Sequence, residues 1–135
     1  MELTGLLPHR PPMLLLDRVD NVEPGRCLTG QLTVRADRPW CADGLPPYLV
    51  LESWLQSAAV LVGWGRSEGD PIVLVGGLRD VLLGRTASAG EIVTHRVDMV
   101  KSAAGVAMCA GTASAGAQSI LRVGQVTISF GQEYR

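Results

Sequence analysis

At 135 residues, with 13 acidic and 12 basic side chains and a formal net charge of -1, the chain has the size of one ordinary domain and no field to gather nucleic acid or anionic lipid. Its 47% hydrophobic and 19% charged residues supply enough apolar surface to offset the entropy of ordering, which excludes a disordered chain. Cys27, Cys41 and Cys109 are odd in number and at least fourteen positions apart, so neither a disulfide framework nor a C-x-x-C pair is written.

The start, MELTGLLPHR, is acidic at position two and reaches proline by position eight, unlike a secretory signal, and with the cysteine pattern it points to a reducing cytoplasm. Glu2–Leu7 has room for one helical turn before Pro8 and the Pro11–Pro12 pair. A strand is expected over Met13–Val19, and Val22–Glu23–Pro24–Gly25 reads as a turn into a second strand, Cys27–Val34. Arg35–Pro47, punctuated by Asp37, Pro39, Asp43, Gly44, Pro46 and Pro47, is expected to be a loop.

Tyr48–Gly65 leaves no continuous polar face, the pattern of a buried helix. Glu52 and Gln56 interrupt it and Pro46–Pro47 truncate it, so it falls short of the roughly twenty apolar residues that a bilayer requires. After the breaker Ser67–Pro71, four strands are expected: Ile72–Leu83, Glu91–Lys101, Val106–Ala113 and Ser119–Phe130. Two strands, a buried helix and four strands predict a single α+β domain, in which an antiparallel sheet of five or six strands wraps one central helix.

Glu52 lies in the first turns of that apolar helix, where an ionised carboxylate needs partners. Two readings of it stand. The helix N-terminus and Gln56, one turn on, would hold it as a structural group; alternatively, a carboxyl in an apolar pocket serves as general acid or base. His9, among prolines, and His95, mid-strand beside Arg96, read as structural histidines, and neither shares a triad-like motif with Asp or Ser. Cys41 and Asp43 are reactive types just before the helix, although Asp in such a loop is commonly turn chemistry, and Gly76–Gly77 reads as a bulge. No cluster of His, Cys and carboxylates has metal-ligand spacing and no phosphate-binding glycine turn is present, so no metal or cofactor is expected.

LLPHRPPMLLLDRV at 6–19 resembles the opening of the bacterial 3-hydroxyacyl-ACP dehydratases of the hotdog fold, the FabZ/FabA type. LPPYLVLESWLQSAA at 45–59 is similar to their central helix, and GGLRDVLLGRTASAGEIVTHRVDMVK at 76–101 to their third and fourth strands. The resemblance implies removal of water from a 3-hydroxyacyl thioester on acyl carrier protein. It gives the acidic role to Glu52, with Gln56 at the helix glutamine position and Cys41, Asp43, Gly44 and Pro46 in the supporting loop. The family loop reads Gly-His-Phe-Pro-Gly, whereas RPWCADGLPP at 38–47 is shorter and has no His, so the base for C2 deprotonation is missing.

In that family the sheets of two protomers join, and each site takes its His from one subunit and its acid from the other. A chain without that loop His that keeps Glu52 would then complete a site in a heterodimer with a His-bearing paralogue, as in the short-loop dehydratase subunits of aryl polyene and type II polyketide clusters that this chain is similar to. The alternatives are a homodimer acting as a noncatalytic acyl or carrier-protein binding module, or a thioesterase. The resemblance also implies an apolar tunnel at the dimer interface for the phosphopantetheine arm, and Arg38, Arg79 and Arg85 are candidates to hold the acidic carrier protein at its mouth.

Overall fold

Buried and exposed positions alternate with a period of two along the strands: β4 (Ile92–Ala103) buries Val93, His95 and Val97, and β5 (Val106–Ala115) buries Ala107, Cys109, Ala113 and Ala115. The computed structural model describes Leu7 and residues 13–39, 41–64 and 74–129. With β1 (Arg18–Glu23), β2 (Cys27–Thr33), β3 (Leu74–Leu83) and β6 (Gln118–Ser129), these strands form one antiparallel sheet in the order β1-β2-β4-β5-β6-β3. The α+β architecture and the upper strand number expected from the sequence are both present.

Helix α1 (Pro47–Gly63) lies against this sheet. Pro47 suits the first helical position because the N–H it lacks has no partner there. The helix buries Val50, Trp54, Ala58, Val60, Leu61 and Val62, and with them the polar Ser53, Gln56 and Ser57. Trp54 is fully buried, and its indole Nε1–H donates to the Arg96 carbonyl at 3.0 Å. Gly111, on the neighbouring strand, makes room for that approach. A Cβ there would stand 1.9 Å from the Arg96 oxygen and 3.1 Å from Trp54 Nε1.

Tyr48, Leu51, Glu52, Leu55 and Ala59 form a helix face that the sheet leaves partly open, and Tyr48 is 65% exposed. The two sheet edges differ. β1 is short, carries Arg18, Asp20 and Glu23, and is bulged between Asp20 and Glu23 with Asn21 at φ 51, a combination that blunts an edge. β3 has ten residues and turns Leu78 and Leu82 to solvent, the latter 64% exposed.

Element boundaries depart from the sequence expectation where polar contacts intervene. The first strand begins at Arg18, not Met13, and runs through Val22–Glu23, so the reversal falls on Pro24–Gly25–Arg26 with Gly25 at φ 75. Leu15 has both its backbone groups taken by helix side chains, which removes it from strand pairing. β4 runs on to Ala103 because Ala104 and Gly105, at φ 52 and 80, supply a tight two-residue turn into β5. Expectations for Glu2–Leu6, His9, Ile72, Val73, Phe130 and the helix end at Gly65 fall outside the described residues.

Candidate functional site

Glu52 stands in the second turn of α1, half-buried on the partly open face. Gln56, one turn on, is buried, and its amide is fully used. Its Nε2 donates to Glu52 Oε1 at 3.3 Å and to the Met13 carbonyl at 2.9 Å, while its Oε1 accepts the Leu15 N–H at 2.8 Å. The contact expected from the four-residue spacing is therefore present, and the same amide also clamps the opening segment to the helix.

Ser53 takes the other backbone group of Leu15, its Oγ donating to the Leu15 carbonyl. Its second neighbour is His95 Nε2, at 2.7 Å. A serine has one hydroxyl proton; with that proton on the Leu15 carbonyl, the imidazole must donate, which assigns the His95 hydrogen to Nε2. Nδ1 is then a bare acceptor, buried with no partner among the described residues. Leaving such a group unsatisfied costs about 1–3 kcal/mol. This pair was not visible as a unit in the sequence, although its signals were present: His95 lies at an inward position between Val93 and Val97, and Ser53 sits on the sheet side of the helix.

Burial pushes the His95 pKa down from 6.5 to about 3, so the ring is neutral in the folded chain. The unfolded chain binds the proton below about pH 6.5 and the folded chain does not, so stability from this residue is complete above that pH and is lost as pH falls toward 3. The slope contributed is at most about 1.4 kcal/mol per pH unit. Urea unfolding of the wild type and His95→Leu between pH 7 and 4 should show the wild type losing more stability on acidification. Parallel curves would contradict a buried neutral ring.

The loop residues are placed as follows. Cys41 is fully buried, and burial raises its thiol pKa, so it stays protonated and packs as an apolar group. Asp43 is exposed. Gly44, at φ 92, is buried, and a Cβ on it would come 2.5 Å from the Ala87 carbonyl. Pro46 caps the helix, its carbonyl accepting from Leu49 and Val50. Leu45 and Ala87 exchange both backbone hydrogen bonds, at 2.7 and 2.9 Å, which ties the loop to the turn between β3 and β4.

Two of the three arginines offered as carrier-protein contacts are already engaged. Arg38 pairs with Asp17 at 2.7 Å and is largely covered, and Arg85 grips Glu91 with both Nη atoms, at 2.7 and 2.9 Å, while its Nε meets Gln118. The Arg85 guanidinium and the Ser88 N–H hold the Glu91 carboxyl down at about 2. Arg79 is exposed and makes no ion pair among the described residues.

Among the described residues no three His, Cys, Asp or Glu side chains gather where a metal ion could sit, and no helix is long and apolar enough to cross a membrane. His95, the one histidine among them, is sealed in the core.

Against solved structures, the chain superposes on a chain of the dehydratase heterocomplex ApeI:P from Xenorhabdus doucetiae with a TM-score of 0.84 and 20% identity, covering 98% of this chain and 93% of the other. A mutant of the phenylacetic acid degradation protein PaaI from Thermus thermophilus follows the same fold at a TM-score of 0.67 and 18% identity, over 88% and 95% of the two chains. At such identities the likeness shows the hotdog fold alone. Sequence goes further. The 3-hydroxyacyl-[acyl-carrier-protein] dehydratase FabZ of Moorella thermoacetica is 30% identical over 139 residues, 97% of this chain and 95% of the relative. The ApeP-like model, describing the ApeP dehydratase, matches residues 1–128, and by this extent of match the chain belongs to the ApeP-like dehydratase family.

Proposed function

We propose that this chain is the acid-bearing subunit of a 3-hydroxyacyl-ACP dehydratase whose base comes from a second, His-bearing subunit. The observation that carries the proposal is an asymmetry: Glu52 is half-buried on an open helix face and oriented by Gln56, while the one described histidine is sealed away. Elimination of water needs two proton transfers. A base removes the C2 proton, the C2–H electrons form the C2–C3 double bond, and the C3–O bond breaks as an acid protonates the departing hydroxyl. Glu52 supplies the second transfer, and an imidazole of the partner supplies the first.

Several features support a partner. The face of Tyr48, Leu51, Leu55 and Ala59 is apolar and only partly covered by the sheet, and the β3 edge is long and apolar where β1 is short and charged. The heterocomplex that the chain resembles in fold is itself a dehydratase of two different chains. Acyl carrier protein delivers the substrate through its phosphopantetheine arm, which enters between the subunits beside Glu52, and Arg79 is the described arginine of the three left to meet it.

The test is to follow enoyl-ACP formation by the chain alone, by a His-bearing paralogue encoded beside it, and by the mixture, with native mass spectrometry of each. The mixture is expected to form a heterodimer and to turn over at least about 10²-fold faster than this chain alone, the lower end of what a general base contributes. Equal rates for the chain alone and the mixture would refute the shared site. A stable homodimer that binds acyl-ACP without converting it would point to a binding module.

A further inference from the structure

A fully buried Ser–His pair in a core where two apolar side chains would pack needs a physical reason, and its position supplies one. We propose that Ser53 and His95 are positioning residues for Glu52, acting through the backbone of Leu15 and through Gln56; the inference rests on the reading of Glu52 as the acid.

The argument follows the hydrogen atoms. His95 Nε2–H donates to Ser53 Oγ at 2.7 Å, which leaves the hydroxyl proton for the Leu15 carbonyl. Without the imidazole, the hydroxyl is free to turn toward the Leu49 carbonyl one helical turn back, the usual alternative for a helical serine. Leu15 is pinned at its carbonyl by Ser53, which keeps its N–H, in the preceding peptide, within reach of Gln56 Oε1 at 2.8 Å. That contact settles which way the Gln56 amide faces, because the flipped amide would set two donors against each other. Only in the observed orientation does Nε2 point its two hydrogens at the Met13 carbonyl and Glu52 Oε1. Flipped, Gln56 would turn an oxygen toward the carboxylate.

The order of dependence is therefore His95, Ser53, Leu15, Gln56, Glu52. His95 touches neither the open face nor solvent, so no direct contact with substrate is involved. Nδ1, without a partner among the described residues, fits this reading, since a ring selected only for packing would be replaced by an apolar side chain at no hydrogen-bond cost.

The test uses the complex of this chain with its His-bearing partner and a 3-hydroxyacyl thioester on acyl carrier protein, together with amide hydrogen exchange at Leu15. In His95→Leu the Leu15 amide should exchange about tenfold faster while urea stability at pH 7 is equal to or above wild type. The same variant should lower kcat by about tenfold with KM within about twofold, the signature of misplacement and not of lost binding. Ser53→Ala should do the same, the double variant should be no worse than either single one, and His95→Gln, which keeps an N–H near Nε2, should recover most of the rate. Should His95→Leu fail to fold, Ser53→Ala carries the test.

Unchanged Leu15 exchange and unchanged kcat in these variants, with Glu52→Gln inactive, would overturn the positioning role and leave the acid assignment intact. A fully active Glu52→Gln complex would overturn the acid assignment and this inference with it, whatever the Leu15 amide does.

Discussion

Glu52→Gln in the assembled complex is expected to lower enoyl-ACP formation by about 10²–10⁴-fold, the range set by loss of one general acid. The substitution is nearly isosteric, and the new side-chain carbonyl can accept the same Gln56 Nε2–H that Glu52 Oε1 accepts at 3.3 Å, so the fold and the assembly should persist. What disappears is the proton for the departing hydroxyl. Native mass spectrometry of the variant complex should therefore match wild type while turnover is lost. A variant complex that turns over at the wild-type rate would make this chain a scaffold and its carboxylate a structural group.

The largest effect on stability is expected at Trp54. Trp54→Ala should cost about 3–5 kcal/mol in urea unfolding, the range for truncating a large buried aromatic residue, and should lower Tm by roughly 10–20 °C for a domain of this size. The indole is fully buried, and the shape it fills has already been tailored by Gly111, which cannot move in to close the gap. Truncation also leaves the Arg96 carbonyl without the donor that reaches it at 3.0 Å. Trp54→Phe keeps most of the volume and should cost less, about 0.5–1.5 kcal/mol for the lost indole hydrogen bond. A loss below about 1 kcal/mol in Trp54→Ala would mean that the helix does not pack through this residue.

The architecture was legible because its signals are local: the all-apolar stretch 48–65 has no alternative to a buried helix, and the Val, Ile and Thr runs after residue 71 are bounded by Gly, Ser and Ala. The first strand was misplaced because its boundary is set by distant side chains. Leu15 is 41 residues from Gln56 and 38 from Ser53, and no pattern within Met13–Val19 reports that its backbone N–H and carbonyl are claimed by the helix. The Glu52–Gln56 contact was accessible because it obeys helical spacing. His95 was seen as a strand residue and not as a partner of Ser53, since a pair formed across 42 positions exists only once the helix lies on the sheet. Arg38 and Arg85 illustrate the opposite error: charge in a sequence suggests a contact surface, while in the fold Asp17 and Glu91 have already taken both guanidinium groups.

The loop before the helix is tied at both ends to one short turn. Val34 donates to the Glu91 carbonyl at 2.9 Å and accepts from the Gly90 N–H at 2.7 Å, and Leu45 is bonded twice to Ala87. Residues 35–44 are thus a closed excursion whose exit is fixed independently of its length, and the entropy of closing such a loop changes only slowly with the number of residues in it. Deletions inside the excursion leave the register of the following helix untouched. Related chains can therefore differ in the length of this loop while Glu52 keeps its place in the helix that follows.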